Sequence, residues 1–205
     1  LVLAWYGNIM SYHHDLSRGI WHGFWVNKGL KDTWESLHGK SCVILGAGAI
    51  GRYIADMLKP FGVTVTGYRR KPEPLGSPYD HTVFDIDDAL ESGEIVISVL
   101  PDTPQTRGML TKERLSRMQH QLLVNVGRSS IADEQDLFDA LKEGTLRGAA
   151  IDCWYQYPSG PEIAPPSRLP FGDLEHVILS PHIAGYTKDA VTQSIADAFD
   201  NLIHF

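Results

Sequence analysis

The sequence predicts an α/β fold in which a doubly wound parallel sheet carries helices on both faces. Short apolar stretches of strand length recur along the 205-residue chain and alternate with stretches of helical periodicity. A glycine-rich turn, GAGAIG at residues 46–51, joins one such strand to the helix after it. Strands that are apolar on both faces are typical of parallel sheets covered by helices on both sides.

The predicted elements alternate along the chain. Residues 1–16 predict an apolar helix with aromatic side chains on one face. A later helix is expected to end at Pro60, since proline cannot continue a helix. Asp133 is expected to cap a helix that stops at Gly144, and the proline-rich residues 157–170 predict a loop. Strands are predicted at 41–45, 63–68, 94–100, 121–127, 146–152 and 176–182, and helices also at 49–59, 85–93, 111–118, 133–144 and 188–203.

The composition argues against several classes of protein. A net charge of −7 disfavours general nucleic-acid binding, which needs a basic surface. The sequence has no membrane-spanning apolar stretch and no signal peptide, so we expect a cytoplasmic protein without membrane contact. Cys42 and Cys153 are expected to be reduced core residues. The pair His13 and His14 is expected on a helix surface, and no metal site is predicted.

The glycine-rich turn has the spacing G-x-G-x-x-G and stands between a predicted strand and a predicted helix. In this pattern Gly46 allows a tight turn, Gly48 lets the backbone approach a pyrophosphate, and Gly51 lets the helix pack on the sheet. The helix N-terminus offers free N–H groups and a positive dipole to the phosphates. We therefore predict a Rossmann-type dinucleotide-binding site.

The end of the next strand, GYRRKP, carries Arg69, Arg70 and Lys71. The residue that contacts the adenosine ribose lies about twenty positions beyond the glycines, where a carboxylate would accept hydrogen bonds from the 2′-hydroxyl. A carboxylate would repel a 2′-phosphate, whereas arginine matches phosphate bidentately. The basic run therefore predicts a preference for NADP(H). A solvated basic strand end beside an NAD(H) site is the alternative.

Three further segments follow in order: VLPDTPQTRGML (99–110), NVGRSSIADEQDL (125–137) and SPHIAGYT (180–187). With the glycine motif, they make the chain resemble the D-isomer-specific 2-hydroxyacid dehydrogenases, of the glyoxylate/hydroxypyruvate reductase kind, over nearly its whole length. The resemblance implies hydride transfer from a nicotinamide cofactor to a small 2-oxo acid, with Arg128 and His182 as catalytic residues. From the motifs and the resemblance together, the predicted cofactor-binding residues are Gly46, Gly48, Ala49, Ile50, Gly51, Tyr68, Arg69, Arg70, Lys71, Leu100, Pro101, Thr106, Val126, Gly127, Asp152, Ala184 and Gly185.

The chemistry of these residue types agrees with that reaction. A 2-oxo acid presents a carboxylate next to a ketone. Arg128 can grip the carboxylate and polarise the ketone oxygen. His182 can donate a proton to that oxygen as hydride arrives, since histidine titrates near neutral pH.

The sequence departs from the family at two positions near these residues. The glutamate that partners the catalytic histidine in the family should stand five residues after Asp152, where this chain has Tyr157. We therefore expect Tyr157 to be the third catalytic residue, in place of that glutamate. Ser129 replaces the glycine usual after the arginine. Glu162, further along the proline-rich loop, is an alternative source of the carboxylate.

The chain also departs from the family at its front. The family builds its substrate-binding domain mainly from N-terminal residues, which are absent from this chain. We therefore expect residues 1–205 to be an NAD(P)-binding domain with flanking helices at 1–16 and 188–205, inactive or weakly active alone. The apolar helix at 1–16 and the pairing of family members through their cofactor domains imply a homodimer.

Two other functions are weighed against the reductase. A non-catalytic dinucleotide sensor or scaffold on the same fold would explain the missing glutamate, although Arg128 and His182 argue against it. A relative that oxidises a small anion such as formate would need an amide beside the histidine. Gln156 is adjacent to that position but one residue out of register.

Overall fold

A computed structural model describes residues 1–21, 34–161 and 163–203. Its centre is a seven-stranded sheet in which all neighbouring strands are parallel. The strands are β1 (Ser41–Leu45), β2 (Thr64–Tyr68), β3 (His81–Val83), β4 (Ile95–Ser98), β5 (Leu122–Asn125), β6 (Gly148–Ile151) and β7 (Val177–Leu179). Their spatial order, β3-β2-β1-β4-β5-β6-β7, confirms the predicted Rossmann-type fold.

The helices begin and end close to the predicted positions. Asp133 caps its helix, because its side chain accepts hydrogen bonds from the N–H groups of Gln135 and Asp136. Gly144, with φ of +71°, follows the end of the same helix. The helices are α1 (Val2–Tyr6), α2 (Ile9–Ser17), α3 (Ala49–Leu58), α4 (Ile86–Glu91), α5 (Lys112–Arg117), α6 (Glu134–Lys142) and α7 (Lys188–Ile203).

One prediction about local structure was wrong, and one strand was missed. The single helix expected at residues 1–16 is two helices, because the chain turns at Gly7 and at Asn8, which has the left-handed φ of 49°. The short edge strand His81–Val83 was not predicted, since three residues with one exposed histidine carry little periodicity. Pairing with β2 alone holds this strand in the sheet.

The two faces of the sheet carry separate apolar cores, because side chains alternate along each strand. Val43 and Leu45 face the core that includes α4, α5 and α6. Cys42 and Ile44 face the other core, to which α3 and Tyr6 of α1 contribute. Cys42 and Cys153 are buried free thiols, and burial raises the pKa of the Cys153 thiol to about 12.

The position of the ligand crevice follows from the strand order. The order reverses between β1 and β4, so the loops that follow these two strands leave the sheet towards opposite faces. The residues that pair across the carboxyl edge are Leu45, Ser98, Asn125, Ile151 and Leu179. Over residues 1–21, 34–161 and 163–203, no helix is long and apolar enough to cross a bilayer.

Candidate active site

The glycine-rich turn between β1 and α3 has a backbone that other residues would strain or block. Gly46 has φ of +108°, a conformation that a Cβ atom disfavours. A Cβ atom on Gly51 would collide with the carbonyl oxygen of Gly46, so α3 can begin this close to the turn only without a side chain there. A Cβ atom on Gly48 would meet no atom within 4 Å. The turn therefore has no room for a side chain at Gly51, whereas the space beside Gly48 is open.

This turn fits the pyrophosphate of a dinucleotide. Gly48 precedes α3 and has no side chain with which to cap it, so the first amide groups of the helix are free for another acceptor. Ala49 and Ile50, the first helical residues, are exposed at the same end. The positive end of the helix dipole favours an anion here, and the open space above Gly48 gives that anion room.

The basic run after β2 lies beside the glycine-rich turn. Tyr68, the last residue of β2, is buried and pairs with Leu45, the last residue of β1. The guanidinium of Arg69 lies 3.4 Å from the carboxylate of Glu73. Arg70 and Lys71 are exposed. The cations therefore stand at the carboxyl edge next to the turn.

The loop after β4 packs between the glycine-rich turn and the loop after β5. The buried Thr106 folds this loop on itself, since its hydroxyl donates to the carbonyl of Pro101 at 2.5 Å. A Cβ atom on Gly127 would lie 2.7 Å from the carbonyl oxygen of Leu100. One on Gly46 would lie 3.3 Å from the Leu100 side chain. Leu100 is thus held close to both glycines.

Arg128 is exposed and follows β5 closely. The side-chain amide of Asn125 donates to the carbonyl of Arg128 at 3.0 Å, and its oxygen accepts the Gly127 N–H at 3.2 Å. The Val126 N–H donates to the carbonyl of Ser98 at 3.1 Å. The Arg128 guanidinium donates to the carbonyl of Gly127 at 2.7 Å. Asn125 therefore fixes the turn that presents Arg128.

Asp152 holds the loop that carries His182. Its carboxylate is 1% exposed and accepts hydrogen bonds from the Ser180 hydroxyl at 2.5 Å, the Ile183 N–H at 3.1 Å and the Ala184 N–H at 2.9 Å. His182 has φ of 58°, an uncommon conformation for a residue other than glycine. Such strain persists where surrounding contacts impose it. Asp152 supplies those contacts on the C-terminal side of the histidine, before the exposed Gly185.

The imidazole of His182 meets Tyr157. The tyrosine hydroxyl lies 2.7 Å from His182 Nδ1, and the two ring centroids are 5.5 Å apart. Both residues are exposed. The neighbouring Gln156 donates its backbone N–H to the carbonyl of Pro166 instead. The group that contacts Nδ1 of His182 is therefore the hydroxyl of Tyr157. Glu162, the alternative source of a carboxylate, lies outside the described residues.

The structure brings the predicted residues to one edge of the sheet. The loops that carry Arg128, Asp152 and His182 follow β5, β6 and β7, whose last residues pair directly. The described residues show no hydrogen bond between Arg128 and His182.

Several supporting residues were not predicted. Asn125 and Ser180 fix the loops of Arg128 and His182, and Trp154 donates its indole N–H to the Ser180 carbonyl at 2.7 Å. Asp102 is bound by Arg107 and Ser130, whose hydrogen bonds hold the pKa of its carboxyl below the usual range. The sequence held one signal for these residues: Asn125 is a polar residue at the last position of an otherwise apolar strand. The other contacts depend on tertiary structure.

These features define a nicotinamide dinucleotide-binding domain. The family model for the D-isomer specific 2-hydroxyacid dehydrogenase, NAD binding domain, matches residues 1–184. The chain belongs to this family. Formate dehydrogenase 2, mitochondrial, of Oryza sativa subsp. japonica is 30% identical over 202 residues, which are 95% of this chain and 50% of that protein. Glyoxylate/hydroxypyruvate reductase B of Pectobacterium carotovorum is 29% identical over 209 residues, 99% of this chain and 62% of that protein.

Solved structures agree with this assignment. The PH0520 protein of Pyrococcus horikoshii superposes with a TM-score of 0.83 at 32% identity, covering 99% of this chain and 60% of that one. An acyclic imino acid reductase in complex with NADPH and D-Arg gives 0.82 at 24% identity, over 98% of this chain and 61% of that one, and shows the fold. The chain spans about half the length of several curated relatives it matches.

Proposed function

We propose that the protein is a reductase that transfers hydride from NADPH to the ketone carbon of a small 2-oxo acid of glyoxylate or hydroxypyruvate size. The observation that carries the proposal is the Tyr157–His182 pair at the same sheet edge as Arg128 and the glycine-rich turn. Bound NADPH would supply the hydride. The chain spans about half the length of several relatives. The proposal therefore includes a substrate domain outside residues 1–205 that also contacts the 2-oxo acid.

Arg128 would bind the substrate. Its guanidinium uses one described hydrogen bond, to the Gly127 carbonyl, and is otherwise exposed. A guanidinium has five N–H groups, so enough remain for a carboxylate and for the ketone oxygen of a 2-oxo acid. Paired N–H donors match a carboxylate bidentately, which orients the ketone as well as binding it. The fixed turn at Asn125 supports this orientation.

His182 would supply the proton. As hydride adds to the carbonyl carbon, the electron pair of the C=O bond moves to oxygen and takes the proton from Nε2 of the imidazolium. The products are the 2-hydroxy acid and neutral histidine. The ring is available for this step because Tyr157 occupies Nδ1 and leaves Nε2 free.

NADPH is proposed over NADH because of the basic residues after β2. Among the described residues, the guanidinium of Arg69 pairs with the carboxylate of Glu73 at 3.4 Å, and Glu73 is itself largely exposed. A 2′-phosphate carries more charge than one carboxylate and could bind Arg69 together with the exposed Arg70 or Lys71.

A homodimer and a cytoplasmic location are the remaining parts of the proposal. The exposed side chains of Leu3, Ile9, Met10 and Leu16 support association through α1 and α2. The buried reduced cysteines suit a reducing compartment. Light scattering of the protein at tens of micromolar is expected to show a dimer, and a monomer would refute this part.

Formate oxidation is the competing activity that one observation favours, because similar curated proteins carry the name formate dehydrogenase. The site argues against it, since the group at His182 Nδ1 is the hydroxyl of Tyr157 and not an amide. A non-catalytic sensor is the other alternative. A sensor would have no need for the left-handed conformation of His182.

The test is NADPH oxidation by the product of the complete gene with glyoxylate, hydroxypyruvate or no acceptor. We expect turnover that depends on the 2-oxo acid and falls by at least about a hundredfold in His182→Gln. Arg128→Ala should lose the same activity, whereas Arg117→Ala, an exposed arginine of α5, should keep it. NAD⁺ reduction with formate would favour the competing activity, and cofactor binding without turnover would favour the sensor.

A further inference from the structure

Trp154 contacts the segments of three candidate site residues. Its N–H donates to the hydroxyl oxygen of Tyr157 at 3.2 Å, and its carbonyl accepts the hydroxyl of Ser129 at 2.8 Å. Its indole N–H donates to the Ser180 carbonyl at 2.7 Å. The residue is 5% exposed and packs edge-on against Phe171. One buried residue therefore joins the loop of Arg128, the loop of Tyr157 and the loop of His182.

The direction of these hydrogen bonds favours one direction for the next one. A backbone N–H can only donate, so the Tyr157 oxygen accepts from Trp154. The tyrosine hydrogen is then free to donate, and Nδ1 of His182 lies 2.7 Å away. A nitrogen that accepts this hydrogen carries none itself. The neutral ring must then hold its hydrogen on Nε2.

We infer that Tyr157 fixes neutral His182 as the Nε2–H tautomer, and that Ser129 is a positioning residue that acts through Trp154. Ser129 and Tyr157 stand where the family resemblance implies glycine and glutamate, and both bond to the backbone of Trp154. By holding the Trp154 carbonyl, Ser129 limits the movement of the peptide groups around Trp154. The adjacent N–H then stays directed at the tyrosine oxygen.

This arrangement is the opposite of one with a carboxylate partner. A carboxylate can only accept a hydrogen bond, so it holds the hydrogen on Nδ1 and leaves Nε2 with a lone pair. Asp152, a charged group bound to the same loop, directs its oxygens to Ser180, Ile183 and Ala184. The tyrosine hydroxyl is thus the described group that selects the tautomer.

The tautomer would lower the fraction of neutral rings that can take a proton on Nε2, a consequence that rests on the proposed function. Oxidation of a 2-hydroxy acid needs a lone pair on Nε2 to take the alcohol proton. The Nε2–H tautomer lacks this lone pair and must first exchange its hydrogen. Reduction starts from imidazolium and leaves a neutral ring with its hydrogen on Nδ1, so the same exchange of tautomers must follow that step. The equilibrium constant fixes the ratio of the two kcat/KM values, so the tautomer should lower the rates of reduction and oxidation together.

The test is a long-range ¹H–¹⁵N correlation spectrum of protein labelled at histidine, recorded at a pH where the His182 ring is neutral. The His182→Gln variant identifies the signals. We expect an unprotonated Nδ1 and a protonated Nε2 in the wild type. A protonated Nδ1 in the wild type would overturn the inference, and this spectrum requires no variant of the tyrosine.

Variants test how the tautomer is held. Tyr157→Phe should give a mixture of the two tautomers, and Tyr157→Glu should give protonated Nδ1. Ser129→Ala should shift the ring towards the mixture, and Ser129→Thr should restore the wild-type spectrum. Ser116→Ala removes a hydroxyl that donates to the Glu113 carbonyl in α5 and should change nothing. A wild-type spectrum in Ser129→Ala would overturn the role of Ser129.

Kinetics separate the inference from the proposed function. At a pH where the ring is neutral, Tyr157→Glu should raise kcat/KM for 2-hydroxy acid oxidation and for 2-oxo acid reduction in parallel, by about tenfold or more. Unchanged values in both directions would overturn this consequence, and the spectrum would decide the tautomer separately. Complete absence of activity in the wild type would refute the proposed function, and the spectrum would still decide the tautomer.

Discussion

The hydroxyl of Tyr157 lies 2.7 Å from Nδ1 of His182, so the candidate acid of this site has a neutral partner. A carboxylate partner would stabilise the imidazolium by its charge, whereas a hydroxyl orients the ring without supplying charge. The family resemblance implies a glutamate at this position, and the pH dependence of the reaction should report the difference.

Changing Tyr157 should alter the pH profile of reduction. Reduction needs protonated His182, so the rate falls as pH rises through deprotonation of the ring. Tyr157→Glu should move this falling limb to higher pH, because the new carboxylate favours imidazolium. Tyr157→Phe should mainly lower the rate, because orientation is lost. Coincident limbs for the wild type and Tyr157→Glu would contradict the assigned partnership, and Glu162→Gln is the control for a carboxylate from the loop.

Changing Arg69 should alter cofactor preference. Titration of the 205-residue chain at low salt should show NADPH binding more tightly than NADH by about tenfold or more, which corresponds to one charged phosphate contact. Arg69→Asp should reverse or remove this preference, since a carboxylate repels the 2′-phosphate. Lys142→Asp makes the same charge change at an exposed residue of α6 and should leave the preference unchanged. Equal affinities in the wild type would refute the assignment.

Asp152 should be required for the His182 loop. Asp152→Asn places an amide NH₂ group where one carboxylate oxygen accepted an N–H, at a position that is 1% exposed. Loss of a buried hydrogen bond with an unsatisfied donor should lower the free energy of unfolding by about 1–3 kcal/mol. Chemical denaturation measures this value, with the exposed Asp173→Asn as the control. Equal stability of the two variants would show that the loop does not depend on the carboxylate.

Glu134 should anchor the C-terminal part of the proline-rich loop. Its buried carboxylate accepts hydrogen bonds from the Ser167 hydroxyl at 2.8 Å and from the backbone and guanidinium of Arg168 at 2.9 and 3.0 Å. Glu134→Ala should lower the free energy of unfolding by about 1–3 kcal/mol, because these donors lose their acceptor. Glu113→Ala, in the first turn of α5, is the control and should change stability little.

The effect of Glu134 should depend on pH. Burial alone would raise the pKa of its carboxyl, but hydrogen bonds from Ser167 and Arg168 lower the pKa overall. A group whose pKa is lowered by folding stabilises the protein above its unfolded pKa, about 4.3 for glutamate, and loses this effect as pH falls. The stability difference between the wild type and Glu134→Gln should therefore shrink below about pH 4. A difference that grows on acidification would contradict this sign.

The sequence predicts the fold and the position of the site for identifiable reasons. The apolar strands and the glycine motif have local patterns, and β1 and α3 begin at the predicted residues. The predicted strands at 94–100, 121–127 and 146–152 extend past the observed ends of β4, β5 and β6. The extra residues leave the sheet and form the loops of Leu100, Gly127 and Asp152. Apolar composition cannot distinguish a strand from the loop that continues it.

Other features depend on contacts that no local pattern contains. The break between α1 and α2 lies in an apolar stretch that reads as one helix, and the left-handed conformation of Asn8 sets it. The contacts of Trp154 join residues from separate loops, and its backbone groups carry two of them. Residue type says nothing about where a backbone N–H is directed. The partner of His182 could be predicted at Tyr157 only because family spacing gives that position.

The product formed from hydroxypyruvate tests the central claim most directly. The complete gene product is incubated with NADPH and hydroxypyruvate, and the product is resolved on a chiral column. A D-isomer-specific reductase should yield D-glycerate and consume NADPH in equal amount, and the His182→Gln variant should yield none above background. L-glycerate, or consumption of NADPH without glycerate, would contradict the proposed reaction.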